Sequence, residues 1–304
     1  MKLFFLFAIC FSIHEGFCEN YELAKIAFNK NPVLTYNNTI NENKQPCFFN
    51  ELYSNFIEQS QIIVRPSQRD VLKIGIGLGI TMGLVFLDRP IDNKIHSFYT
   101  KYEDMGSISS RVTELGGNYG LEFSALFAGF SYLTLNEKGI QTSRLLVQSL
   151  ITSAVWTRVG KLLTGRERPF YYYEANKNYD NDLWSGPFTL LTKSGRSKPG
   201  SSWDSFPSGH TSTAFAIATV FAMQYKEQTA IPVIAYTLAS IVGITRMTEH
   251  EHWASDVFVG ACLGYFCAKQ VCNNALKYNK EKRKLSFFAN YQNNKIIAEC
   301  LLTF

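Results

Sequence analysis

Six apolar segments, at residues 74–87, 123–135, 145–157, 211–225, 229–245 and 257–268, constrain the fold of this 304-residue chain more than anything else in it. Their length and patterning predict helices. Charges limit them, at Lys73, Asp88, Glu122, Arg158, Lys226 and Lys269. A clean membrane span needs about 20 apolar residues, and none of the six reaches that. With a mean hydropathy of −0.07, the pattern predicts an all-α, six-helix bundle-type core whose helices bury one another. The length suits one sizeable core and asks for no second catalytic domain. Gly75, Gly79 and Gly83 recur on the first segment, a small-residue stripe that lets another helix approach closely. It is not a dinucleotide fingerprint, because Ile80 stands where the third glycine would be.

The polar residues at the ends of these segments carry the chemistry. Phe206-Pro207-Ser208-Gly209-His210-Thr211 leads into the fourth segment. A Ser-Gly pair at a helix start leaves backbone N–H groups unpaired, and Gly209 has no side chain to block an anion from reaching them. Thr245 and Arg246 precede His252 and Asp256. At that spacing the histidine and the carboxylate share a helix face, so Asp256 can accept from one imidazole nitrogen while the other stays free as a nucleophile or base. Lys161 and Arg168 lie about two helical turns apart, which returns them to one face of a helix that Pro169 is placed to end.

The order Lys-x6-Arg-Pro, Pro-Ser-Gly-His, Thr-Arg-x5-His-x3-Asp resembles the type 2 phosphatidic acid phosphatase superfamily, which also includes bacterial class A acid phosphatases and vanadium haloperoxidases. The resemblance covers roughly residues 68–280, with one departure: Thr245 stands where the family usually has Ser, and keeps the hydroxyl. It implies a metal-independent hydrolase of phosphate esters. Lys161, Arg168, Arg246, Ser208 and Gly209 would bind phosphate. His252 would attack phosphorus to form phosphohistidine, Asp256 would hold its tautomer, and His210 would protonate the leaving alcohol and then activate water. No metal or other cofactor is implied, since the cations do the neutralising, and vanadate is expected to inhibit. The substrate is a lipid phosphate such as phosphatidate, a polyprenyl phosphate or a lipid A phosphate, or else a small phosphomonoester, because such a seat reads only the phosphoryl end. Two alternatives stand beside this: a vanadium haloperoxidase with vanadate on His252, and a non-catalytic membrane protein that keeps the fold. Nearby, Arg166 reads as an extra phosphate contact, Glu167 as a surface or ion-pairing residue, and His250 and Glu251 as solvated or supporting residues without a family role.

The remainder frames this core. Lys2, the apolar run 3–13, Gly16 and Cys18 read as a signal peptide over residues 1–18. The chain is then exported, periplasmic or membrane-associated, with an integral six-helix protein as the alternative. Residues 19–66 form a polar extension, irregular or partly helical, in which Asn37 begins a glycosylation triplet. The helical catalytic domain spans 67–280. Within it, the long connection between Pro169 and Phe206 carries Tyr171, Tyr172, Tyr173, Trp184 and Trp203 and reads as a lid that contacts substrate. Residues 281–304 alternate in a way compatible with a hairpin. Cys262, Cys267 and Cys272 read as small core residues rather than a disulfide framework. The net charge of +5 is scattered, so nucleic acid is not an expected partner; the 24 Phe and 16 Tyr suit a helical protein near a membrane, and a membrane surface is the expected partner. Nothing in the pattern bears on oligomeric state.

Overall fold

The computed structural model describes residues 47–101, 105–170, 183–189, 202–284, 286–292 and 295–301. The signal-peptide segment, the glycosylation triplet and most of the expected lid lie outside them. The chain divides into two compact units, Leu52–Asn274 on the one hand and Ala275–Phe304 with Met1–Glu51 on the other. The helices are α1 (Phe48–Val64), α2 (Gln68–Lys101), α3 (Met105–Thr113), α4 (Asn118–Leu133), α5 (Glu137–Thr164), α6 (Gly209–Gln224), α7 (Ala230–Thr248) and α8 (Ala254–Lys284), with a 3-10 turn at Glu114–Gly116. The larger unit is the expected all-α core. In the smaller unit, strands β1 (Ser286–Gln292) and β2 (Lys295–Leu301) pair antiparallel, Ser286 opposite Leu301.

Helix α5 is the centre of the larger unit. Asn136 caps its start by accepting from the Gly139 amide, and Gly165, left-handed at φ 52°, ends it by donating to the Lys161 carbonyl. Its buried residues are rich in small hydroxyls, among them Thr142, Ser143, Ser149, Thr152, Ser153 and Thr157, beside Leu145, Leu146 and Leu150. Thr142 and Ser143 return their hydroxyls to carbonyls one turn back, which satisfies them inside the bundle. Small side chains let backbones approach closely. Accordingly, α4 and α6 both pack on α5, and α6 packs on α7 through Ala214, Ala218, Ala239 and Val242. Helix α1 is tied to this core by amides: Asn55 donates to Gln148 Oε1 at 2.8 Å, and Gln59 accepts from Trp156 Nε1 at 2.8 Å.

Helix α2 overturns the expectation of short, mutually buried helices. It has 34 residues and runs on through Asp88 and Pro90, because Asp88 does not face water: it is 1% exposed and paired inside the protein. Its stretch Gln68–Ser97 and the helix Ala230–Thr248 are long and apolar enough to cross a membrane, and the apolar window of the first is 0% buried within the protein. Leu72, Ile76, Leu78, Met82 and Phe86 all stand exposed. The glycine stripe meets no neighbouring helix, since a Cβ at Gly75, Gly79 or Gly83 would find nothing within 4 Å. Surface of this kind marks contact with an apolar medium or partner, which suggests membrane association.

Glycines do decide packing around Ser208. A Cβ at Gly260 of α8 would sit 2.5 Å from the Ser208 carbonyl oxygen, and one at Gly160 of α5 would sit 2.6 Å from Pro207 Cδ. The segment Phe206–Ser208, with a cis peptide bond before Pro207, is thus held between two backbones. Gly260→Ala is expected to cost about 1–3 kcal/mol through overpacking against a carbonyl that cannot turn aside. Gly79→Ala is expected to be neutral or to gain up to about 1 kcal/mol from helix propensity. Thermal unfolding in detergent compares them; equal midpoints would contradict the close approach.

Candidate active site

Each cation of the first motif is placed by the end of α5. Lys161 lies in its last turn. Gly165 rather than Pro169 turns the chain, so Arg168 arrives from the segment that follows and not from the helix face expected. The two meet at a residue the sequence reading missed, Asp204. Lys161 Nζ donates to the Asp204 carbonyl oxygen and lies 3.6 Å from its Oδ2. Arg168 Nε donates to Asp204 Oδ1 at 2.7 Å, while its Nη1 donates to Glu251.

The second motif starts α6, and no side chain caps that helix. Its first-turn amides at Gly209 and His210 have no intrahelical acceptor, and a Cβ at Gly209 would meet only Thr157 Cγ2, at 3.9 Å. Packing therefore does not demand a glycine here. Ser208 departs from the expected donor role: its amide donates to the Asp256 carbonyl at 3.0 Å, and its hydroxyl, 0% exposed, pairs with Thr211 at 2.9 Å. The seat's backbone donors are accordingly those beyond Ser208. His210 is backed by the 3-10 turn, where a Cβ at Gly117 would come within 2.9 Å of its Nε2.

The third motif is a helix end, a turn and a helix start, rather than one helix. Arg246 closes α7, α8 begins at Ala254, and His252 stands in the turn between them. Arg246 Nη1 donates to Glu249 Oε2 at 2.6 Å and to Thr113 Oγ1 at 3.1 Å, and its Nη2 lies 3.5 Å from Glu251 Oε2. Its Nε is buried with no partner among the described residues, a donor left for something else. His252 is 1% exposed, and its Nδ1 lies 3.7 Å from Asp256 Oδ2, outside the about 3.2 Å reach of an N–H···O bond. Asp256 faces it while serving other donors: Arg166 Nη1 at 2.5 Å, Ser205 Oγ at 2.5 Å and the Trp253 amide at 2.9 Å.

Of the neighbouring residues, Arg166 and Glu167 fall elsewhere than the sequence suggested, whereas Glu251 and His250 take supporting places. Arg166, read as a phosphate contact, is 0% exposed and spent on Asp88, Ser255 and Asp256. Glu167, read as a surface or ion-pairing residue, is buried. Glu251 is held between Arg168 and Arg246, and His250 faces Asp92 and His96. Trp184 lies over the Arg166 guanidinium at 4.5 Å rather than offering its face to a ligand.

Two histidines share one electrostatic environment. Burial first, then Lys161, Arg168 and Arg246, push His252 well below the ordinary histidine range, so its imidazole is neutral at pH 7. Burial first, then Arg246, with Arg168 and Lys161 adding to it, bring His210 down to about 4 against the opposing pull of Glu114. Burial lowers Lys161 to about 8 in spite of Asp204. Asp204 stays below the usual carboxylate range because Lys161 and Arg168 outweigh its own burial. Three cations from three segments thus surround one neutral imidazole, each already held by the protein's own carboxylates. The arrangement can bind a phosphoryl dianion and present a nitrogen nucleophile to it.

Residues 143–280 match the family model described as the PAP2 superfamily. That match covers a little under half of the chain. The match takes in all three motifs of the PAP2 region and leaves α2 outside. Among curated relatives, lipid A 1-phosphatase of Porphyromonas gingivalis is 40% identical over 99 residues, 30% of this chain and 22% of that protein. Lipid phosphate phosphatase 1 of Arabidopsis thaliana is 30% identical over 148 residues, 43% of this chain and 44% of that protein. The chain therefore spans less than half the length of either relative. The crystal structure of Aquifex aeolicus LpxE aligns with a TM-score of 0.44 at 24% identity, covering 62% of this chain and 95% of that one.

Because Lys161 titrates near 8, its charge is present below that pH and lost above it. Affinity for inorganic phosphate, measured by calorimetry, should fall as pH rises through about 8 in the wild type. In Lys161→Arg, whose guanidinium stays charged, that fall should disappear. An unchanged pH profile in the variant would remove Lys161 from the seat.

Proposed function

We propose that this chain hydrolyses a lipid phosphate ester without a metal, through a phosphohistidine at His252. The observation that carries the reading is that Lys161, Arg168 and Arg246 act together on both His252 and His210. A phosphomonoester dianion repels nucleophiles, and the alkoxide it must expel is a poor leaving group. Here the three cations and the first-turn amides of α6 neutralise it. The neutral His252 Nε2 attacks phosphorus as the ester P–O bond breaks, and His210 delivers a proton to the departing oxygen. A water then adds to phosphorus, gives its proton to His210, and releases inorganic phosphate from the imidazole. In the empty site burial and the three cations keep His210 unprotonated; the incoming dianion offsets the cations, so His210 takes up its proton as substrate binds. The Asp256 carboxylate facing Nδ1 favours the tautomer with Nε2 unprotonated.

A lipid substrate is favoured over a small ester by where the apolar helices end. The exposed apolar residues of α2 run out at Leu87, after which Asp88 turns into the protein, and α7 stops at Thr248. Asp88, the next residue after the first of these ends, accepts from the Ser255 amide, and His250, two residues past the second, bonds His96 farther along α2. Both stretches therefore terminate beside the turn that holds His252, so a bilayer around them would put the phosphate seat at headgroup level. The relatives named lipid A 1-phosphatase and lipid phosphate phosphatase 1 agree with such a substrate. Export across the cytoplasmic membrane, with the site facing outward, completes the reading.

Full-length protein in mixed micelles should release phosphate from phosphatidate or a lipid A phosphate in the presence of EDTA, and vanadate should inhibit. Acid-sensitive label should accumulate on the wild type and be absent from His252→Ala. His210→Ala should lose on the order of 10²–10⁴-fold in kcat, least with a good leaving group such as p-nitrophenolate. Turnover in His252→Ala, or activity lost to EDTA and restored by a divalent ion, would defeat the proposal.

A further inference from the structure

Asp88 belongs to none of the three motifs and lies outside the PAP2 match, yet it is built into the back of the site. Its Oδ1 accepts from the Ser255 amide at 2.9 Å. Its Oδ2 accepts from Ser255 Oγ at 2.5 Å and Arg166 Nη2 at 2.6 Å. Arg166 Nη1 in turn donates to Ser255 Oγ at 2.6 Å and Asp256 Oδ1 at 2.5 Å. The guanidinium sits between two indoles, Trp184 at 4.5 Å and Trp253 at 5.5 Å, and Trp253 is the residue after His252. Every member of the chain Asp88, Arg166, Asp256 is at most 1% exposed.

We propose that Asp88 is a positioning residue for the reaction at His252: it fixes Arg166 and the first turn of α8, and through them the Asp256 carboxylate that faces the imidazole. The proposal rests on the reading of His252 as the nucleophile. Three features of the arrangement support it. The first is capping: α8 needs acceptors for its first-turn amides, and Asp88 supplies one from another helix, which pins the turn carrying His252 to α2. The second is charge. One guanidinium would be balanced by one carboxylate, and burying a second, unbalanced one is costly. The surplus negative charge lies beside the imidazole, which becomes more cationic as Nε2 bonds to phosphorus. The groups that act on His252 are Lys161 from α5, Arg168 beyond it, Arg246 from α7, Asp204 and Asp256; Arg166, although a cation, is turned away onto its two carboxylates. The third is repetition. Asp92 and His96 continue the same face of α2 at successive turns and hold His250, Asp92 Oδ1 at 3.2 Å from Nδ1 and His96 Nδ1 at 2.9 Å from Nε2. One stripe of α2 therefore grips the turn from His250 to Ser255.

Without the Asp88 charge, Arg166 should draw Asp256 toward itself and away from His252. In Asp88→Asn, kcat should fall on the order of 100-fold, the size expected when a reacting group is displaced by about 1 Å. KM should stay within about twofold, because the phosphate-binding cations are untouched. Ser255→Ala, which removes the hydroxyl shared by Asp88 and Arg166 with little change in charge, should act in the same direction more weakly and covers the case in which Asp88→Asn does not fold. ¹⁵N NMR of the ring nitrogens in the full-length, detergent-solubilised chain at pH 7 should find His252 mainly as the Nδ1–H tautomer in the wild type and less so in both variants. A wild-type kcat with an unmoved tautomer would overturn the proposal. So would activity that falls only in proportion to folded protein while the tautomer stays put, which is the mark of a merely structural ion pair. If the wild type hydrolyses no phosphate ester, the nucleophile reading fails, while the tautomer comparison still decides whether Asp88 positions His252.

Discussion

A guanidinium without solvent is tolerable only where carboxylates and hydrogen-bond acceptors surround it, and Arg166 imposes that constraint on the centre of this protein. Satisfying it draws Asp88 from α2 and Ser255 with Asp256 from α8 onto one point. Once Asp256 is there, its backbone carbonyl receives the Ser208 amide at 3.0 Å, which seats the start of α6. Trp253 is fixed in the same cluster through its indole N–H on the Glu167 carbonyl at 2.8 Å. The three motifs therefore meet through a buried polar knot behind the site, and the residues facing the ligand are free to be arranged for chemistry.

On the open side the arrangement is deliberately crowded with charge. Lys161 and Arg168 share Asp204, Arg168 and Arg246 share Glu251, and Arg246 also holds Glu249. Carboxylate oxygens resemble phosphate oxygens in how they accept from a guanidinium fork. In the empty protein these acids keep the cations oriented and limit their mutual repulsion. For the proposed reaction, a dianion has to take over part of that coordination, so the site trades internal ion pairs for substrate contacts.

Much of this was legible in the sequence, because the motif residues bear chemistry that is scarce in apolar helices. Lys161, Arg168, His210, Arg246, His252 and Asp256 do gather in one place. The geometry was less legible. The spacing of His252 and Asp256 suggested one helical face, but α8 begins only at Ala254, where Asp256 takes the Trp253 amide. Asp204 and Glu251 carried no periodic signal, and their partners lie 36 and 83 residues away. Asp88 misled most. A charge inside an apolar run reads as its end, unless a partner such as Arg166, 78 residues on, lets the helix continue. That one misreading also hid the exposed stretch along α2.

The central claim is that a single phosphate seat exists between Lys161, Arg168, Arg246 and the start of α6, with His252 at its base. A high-resolution structure of the full-length chain with vanadate tests it most directly. The account predicts vanadium bonded to His252 Nε2, its oxygens within hydrogen-bond reach of all three cations and of the Gly209 and His210 amides, and Glu251 moved off at least one arginine. Vanadate bound elsewhere, or a His252 that keeps its distance from it while Asp204 and Glu251 hold every cation, would contradict it.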